Sequence, residues 1–300
     1  MNKKRRSGMA IQDARNFYIY TSPWLIGFLV LTLYPILYSF WLMFTDTGLT
    51  GAGKFIGITN WVDAFREDPI FLKSFGNTLY YVILFVPSSL ILAFGIALLL
   101  NQKIKLPGFF RTAFYLPYIT SGVAVTVLWG WIFNKDYGLI NYILSVVGIP
   151  GPNWLGDTRM AMFSIVILSL WSIGNNIIIM LAGIQDIPPS YYESAYIDGA
   201  NKLNCIFKIT LPLATPTIYF NLIVTNIFAF QIFQQPYILT DGHGSPLNST
   251  YTMSMHLFKN AFEYGKMGYA SMVAWILFIV IMMITLVIQK SAPKWVNYDS

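Results

Sequence analysis

The chain has 300 residues, of which 56% are hydrophobic and 11% charged, and its net charge is +6. Soluble domains carry roughly 25% charged residues, so a soluble domain is excluded: its core could not hide this much apolar side chain. One cysteine, Cys205, and two histidines, His243 and His256, leave no intrachain disulfide and no Cys- or His-based metal cluster to expect. No cofactor site is evident either.

Residues 1–19 form a basic N-terminus carrying Lys3, Lys4, Arg5, Arg6 and Arg15. They do not read as a secretory leader, because the apolar run that follows is too long and lacks a small-residue cleavage site. That run, Tyr20–Phe44, is the first of six without Asp, Glu, Lys, Arg or His; the others are Thr78–Leu100, Ala113–Phe133, Met160–Leu181, Pro212–Thr240 and Ala270–Gln289. Each is long enough to cross a bilayer as a helix, and only helices or closed barrels satisfy their backbone groups in lipid. The predicted fold is an all-α membrane protein with six transmembrane helices. Residues 20–74 hold the first span and an external loop, 75–290 a core of five spans, and 291–300 a tail.

The loop after the first span contains Gly48-Leu49-Thr50-Gly51-Ala52-Gly53-Lys54, which fits G-x-x-x-x-G-K. A phosphate loop needs Ser or Thr next and a strand before it. Phe55 follows here, and a membrane span precedes, so the glycines read as turn residues and ATP would be hydrolysed by another chain. Asp241 and His243 are the closest acid–base pair, and a turn explains them.

Orientation follows from the basic residues. With the N-terminus inside, twelve of the nineteen Lys and Arg residues fall on the cytoplasmic side. The positive-inside rule then places both termini, and the loop between spans four and five, in the cytoplasm. The net charge is thereby topological and gives no reason to expect a nucleic-acid partner.

That loop, residues 187–212, is the most informative segment. Pro188 and Pro189 end the preceding helix. Ser190-x-x-Glu193 is predicted to form a capping box, a short helix to run to Ile197, and Gly199 to end it in a left-handed conformation. A second short helix is expected over Asn201–Ile209. The pattern Glu193-Ser194-Ala195, Gly199, Ile209-x-Leu211-Pro212 resembles the EAA loop of ATP-binding-cassette importer permeases, with Ser194 where the family usually has Ala.

The resemblance extends over residues 20–290: Phe55-Ile-Gly-Ile-Thr-Asn60-Trp61, Phe75-Gly-Asn77-Thr78, Tyr115-Leu116-Pro117 with Trp129, Tyr137-Gly138-Leu-Ile-Asn141, Ala261-Phe262-Glu263-Tyr264 and Met267-Gly268-Tyr269-Ala270 are similar to segments of the carbohydrate-uptake (maltose and glycerol-3-phosphate permease-like) branch. Leu239 to Pro246 resembles the branch's T-x-G-G-P loop, with Gly-Ser-Pro in place of Gly-Gly-Pro. The resemblance implies a type I ABC importer permease fold and a non-catalytic subunit in the bacterial cytoplasmic membrane. It implies a second homologous permease chain, a dimer of ATPase subunits, an extracytoplasmic sugar-binding protein and the lipid bilayer as partners. It assigns ATPase docking to Tyr191, Tyr192, Glu193, Ser194, Ala195, Asp198, Gly199, Ile209, Leu211 and Pro212.

Inside span five, a rotation of about 100° per residue puts Asn221, Thr225, Phe228, Gln231 and Gln235 on one arc, with Asn226 and Gln234 on the far side. In span four, Trp171 and Asn175 share a face. Such residues can be hydrogen-bonding glue between helices, for about 1–2 kcal/mol or less, or amide and aromatic partners along a sugar pathway. The absence of charge within the spans argues against a proton- or sodium-coupled carrier, which places ionisable groups near the midplane. Nor is a convincing pair of Gly- or Pro-broken helices evident. A membrane-embedded transferase would need convergent acid, base or metal groups, and none stands out.

Overall fold

The computed structural model describes residues 8–51 and 53–297; the basic run Lys3–Arg6 lies outside them. The described chain is helical, with a single isolated bridge between Thr45 and Phe55. The first span is α1 (Gly8–Gly27), a π turn over Phe28–Leu33 and α2 (Tyr34–Leu42). It begins well before Tyr20, and none of its most apolar window is buried within the chain. It touches the rest through α2, where Ser39 accepts from the Trp275 indole at 3.2 Å and Phe40 meets the Trp275 ring edge-on.

A short helix, α3 (Thr59–Arg66), leads to the long α4 (Pro69–Leu100). Asp68 caps α4 by accepting from the Ile70 and Phe71 N–H groups. Pro69 follows at the first helical position, where a missing N–H costs nothing. α4 is the hub. Ser89, Ala93 and Ala97, four apart on one face and fully buried, allow the close approach that small residues give membrane helices. Ala93 and Ala97 share a cluster with Ile177, Met180, Leu181 and Ile184. Nearer its start, α4 packs Phe71, Tyr81, Val82 and Val86 in a second cluster with Phe230, Met253, Met272 and Val273.

The third and fourth spans are bent, which the sequence reading did not anticipate. α5 (Pro107–Ile119) and α6 (Gly122–Ile132) meet at 96°, and, after α7 (Leu139–Val146), α8 (Ala161–Trp171) and α9 (Gly174–Gln185) meet at 51°. Pro117 removes one ladder donor in α5, and the Thr120 hydroxyl takes up the Leu116 carbonyl at the break. The fourth span bends at Ser172-Ile173, just before Gly174. A Cβ on Gly174 would lie 2.3 Å from the Phe114 carbonyl oxygen and 2.9 Å from the Tyr115 Cα, so only glycine lets α9 cross α5 this closely. Among the described residues, four helices are long and apolar enough to span a membrane, and counting each bent pair as one span brings the candidate spans to six.

Past the fourth span come α10 (Pro189–Ile197), α11 (Lys202–Cys205), a π turn over Ile206–Thr210 and α12 (Leu211–Leu213). Pro212 cannot donate to the helical ladder, and the π turn before it sends the Leu211 N–H five residues back to Ile206. The fifth span is α13 (Thr215–Phe230), which stops at Gln231 and resumes as α14 (Gln234–Leu239). α15 (Met253–Phe258) and a π turn lead to the last span, α16 (Met267–Ser291). The tail then folds back: Asn297 donates its N–H to Thr215 Oγ1 and its side-chain amide to the Pro212 carbonyl, and Val296 is buried.

Candidate functional site

Two places carry the candidate residues. One is a cleft of about 410 Å³ among α4, α5, α8, α9, α13 and α14, within the size range of small-molecule sites. Of the predicted pathway residues, Asn175, Thr225, Phe228, Gln231 and Gln235 line it; Asn221 and Trp171 do not. Asn221 is buried and donates to the Thr217 carbonyl of its own helix at 3.2 Å. Trp171 is mostly exposed and meets Trp129 edge-on, with ring centroids 5.9 Å apart.

The break at Gln231 explains the mixed result. A 100° rotation holds only along one unbroken helix, and its phase is lost between Phe230 and Gln234. Gln234, assigned to the far side by that arithmetic, therefore lines the cleft. The end of its side chain lies against Gly122 at the start of α6. Asn226 is buried on the far side, as the rotation predicts. Sequence reasoning also missed Tyr118 and Asn176. Asn176 donates to Thr225 Oγ1 at 2.8 Å and ties α9 to α13, so Thr225 serves helix packing and the cleft wall at once. Adjacency to Asn175, at the start of a helix opened by glycine, was the available signal for Asn176. None of the lining side chains is charged.

The second place is the loop from α10 to α12, at the far end of the spans from the α4 start. The predicted capping box does not form. Pro188 occupies the cap with no side-chain hydrogen bond, and α10 starts at Pro189, one residue before Ser190. Proline at the first turn is pre-set for helix and displaces the Ser190 cap. The C-terminal prediction holds. Gly199 has φ +80°, the Ala200 N–H reaches the Ala195 carbonyl at 2.9 Å and the Gly199 N–H reaches Tyr196 at 3.1 Å. These two bonds define a Schellman cap. Asn201 caps α11 by accepting from the Asn204 N–H.

Among the predicted docking residues, Tyr191, Glu193, Ser194, Asp198 and Gly199 are exposed. Tyr192, Ala195, Ile209, Leu211 and Pro212 are half-buried. The Tyr192 hydroxyl lies 3.0 Å from Thr210 Oγ1 and joins α10 to the base of span five. Tyr196, Ile197, Leu203 and Phe207 add exposed apolar bulk around α10 and α11. Among the described residues after Gly48, the next helix starts at Thr59, too far on to serve a phosphate loop at Gly48–Lys54. Asp241 and Gly242 both have positive φ in a tight turn, in keeping with the turn reading of that pair.

The family profile described as "Binding-protein-dependent transport system inner membrane component" matches residues 69–296. The chain belongs to this family. It is 42% identical over 285 residues to the "Probable ABC transporter permease protein YesP" of Bacillus subtilis, covering 94% of this chain and 92% of that one. It is 33% identical over 280 residues to the arabinooligosaccharides transport system permease protein AraP of the same organism, covering 91% and 87%. The lactose transport system permease protein LacF of Rhizobium radiobacter is 34% identical over 272 residues, covering 89% and 90%. The fold matches a chain in the crystal structure of a bacterial alginate ABC transporter in complex with an alginate pentasaccharide-bound periplasmic protein. There the TM-score is 0.83 at 23% identity, over 97% of this chain and 98% of that one. The six-span permease fold and the multi-pass membrane location expected from sequence are thereby established.

Proposed function

We propose that this chain is a permease subunit of an ATP-driven, binding-protein-dependent importer that passes an oligosaccharide through the cleft by alternating access. The cleft carries the reading. Its lining of Asn175, Asn176, Gln231, Gln234 and Gln235 offers uncharged amides, with Tyr118 and Phe228 as aromatic faces. A neutral sugar needs amide partners for its hydroxyls and an aromatic surface for its C–H side. The importers of several relatives are named for arabinooligosaccharides and lactose.

The chain itself hydrolyses nothing in this scheme. ATPase subunits dock on α10, whose exposed Tyr191, Tyr196 and Ile197 suit the apolar, aromatic core of an interface. A homologous second permease covers the first span, which otherwise presents its apolar surface outward, and helices from α4 onward form the pathway core. The loop and both termini are cytoplasmic by the basic-residue bias. With the buried Cys205 replaced by Ser, an impermeant thiol reagent should accordingly label a cysteine placed at Tyr137 in intact spheroplasts and leave one placed at the exposed Lys105 untouched; the reverse pattern contradicts this orientation.

Gln231→Leu tests the pathway. It removes an amide worth about 0.5–1.5 kcal/mol to a bound sugar, a few-fold to roughly tenfold in affinity. Uptake should weaken, or change its preference among oligosaccharides, while the melting temperature of the purified complex holds. Asn221→Leu, buried outside the cleft, is the control and should change stability with no change in preference. Equal preferences in native and Gln231→Leu complexes would remove Gln231 from the pathway.

A further inference from the structure

Outside the cleft and the loop, the most ordered polar arrangement surrounds His256 on α15. The residue is 3% exposed. Its Nε2 lies 3.1 Å from Asp68 Oδ2, and the Tyr269 hydroxyl donates to the same oxygen at 2.8 Å. Asp68 Oδ1 meanwhile caps α4. One carboxylate thus binds the starts of α4 and α16 to the middle of α15. The Asn260 side-chain amide donates to the His256 backbone carbonyl at 2.8 Å and packs beside the ring, 3.3 Å from Nε2 and 3.5 Å from Nδ1.

α15 is also tied to the cleft. Thr252, its fully buried cap residue, donates from Oγ1 to the Ile232 carbonyl at 2.9 Å. That carbonyl lies in the break of span five, and Ile232 lines the cleft. At the other end of α15, Phe258 packs on Phe233 and Tyr237, with ring centroids 5.1 and 5.5 Å away.

We infer that α15 is a strut that fixes the outer wall of the cleft, and that His256 is the positioning residue holding it to the starts of α4 and α16. The inference rests on the pathway reading of the cleft. Loss of the His256 contact releases Thr252 and Phe258 from their fixed places and opens the cleft to the outside.

The surroundings favour the neutral ring. Burial pushes the His256 pKa below its ordinary value, against the opposing pull of Asp68. Other groups facing it are the Tyr269 hydroxyl on α16, the Tyr251 ring from the preceding loop and the Phe71 ring on α4. Burial keeps the Tyr251 phenol protonated by raising its pKa. Asp46, Asp63, Glu67 and Lys266 line an adjoining cavity, and Lys259 pairs with Glu263 one turn further on.

The test uses the complete transporter in right-side-out vesicles, with Cys205→Ser and a Gln231→Cys reporter. Its labelling rate by an impermeant maleimide at pH 7.5 is divided by that of a Tyr137→Cys reporter, which removes differences in reagent and thiol reactivity between preparations. His256→Leu should raise the ratio several-fold, and His256→Gln, whose amide can still donate to Asp68, should bring it most of the way back. Tyr269→Phe should raise it less than His256→Leu does; it decides the matter if the His256 variants do not accumulate in the membrane. A labelled reporter whose ratio ignores both His256→Leu and Tyr269→Phe overturns the strut alone. A Gln231 reporter never labelled while Tyr137→Cys is labelled overturns the outward-opening pathway, and the strut with it.

Discussion

Gly199→Val should leave the chain in the membrane and abolish transport. The glycine sits at φ +80°, a left-handed conformation costing an L-residue roughly 1–2 kcal/mol, and β-branching adds to that. Nothing lies within 4 Å of where its Cβ would be, so the penalty is conformational and not a clash. The strain acts on the cap. Its relief unwinds the bonds from Gly199 and Ala200 back to Tyr196 and Ala195 and turns the exposed end of α10 away from its partner. ATPase subunits should then be lost from the complex on purification through a tag on this chain. Gly199→Asn, which tolerates the left-handed region better, should recover part of the association. Full association in the valine variant would show that the cap does not position the docking helix.

Gly174→Leu should damage the fold itself. Even a Cβ would stand 2.3 Å from a backbone carbonyl of α5, and backbone cannot swing aside as a side-chain tip can. Gly174→Ala alone should cost about 1–3 kcal/mol, as overpacking does, and leucine more. Because Asn175 and Asn176 follow immediately, the displacement carries two cleft amides with it. Alanine should lower the melting temperature of the detergent-purified complex and reduce uptake together; leucine should prevent accumulation. An unchanged melting temperature for Gly174→Ala would mean that α5 and α9 do not cross as described.

What could be read from the chain depended on how local the cause was. The six apolar runs and the helix end at Gly199 follow from composition and single-residue backbone preference, and both appear in the structure. The breaks within spans three, four and five do not announce themselves in hydropathy, because uncharged amides, Ser and Gly leave a run apolar overall. Gly174 is explained only by what crosses it, the α5 backbone. The same breaks defeated the helical arithmetic, moving Gln234 onto the cleft while Asn221 stayed in the packed interior. At Pro188-Pro189, two valid local signals competed, and the proline geometry prevailed over the Ser190 cap. The His256 knot joins residues some two hundred positions apart and had no sequence signal beyond a histidine in a loop.

The most direct test of the account is transport by a defined complex. The chain would be purified with its co-purifying partners, reconstituted in liposomes, and offered a panel of neutral oligosaccharides with and without ATP and the binding protein. The account predicts uptake of at least one sugar that requires both, is lost in Gly199→Val, and is unmoved by proton or sodium gradients. Uptake by this chain alone, driven by an ion gradient without ATP, would contradict it.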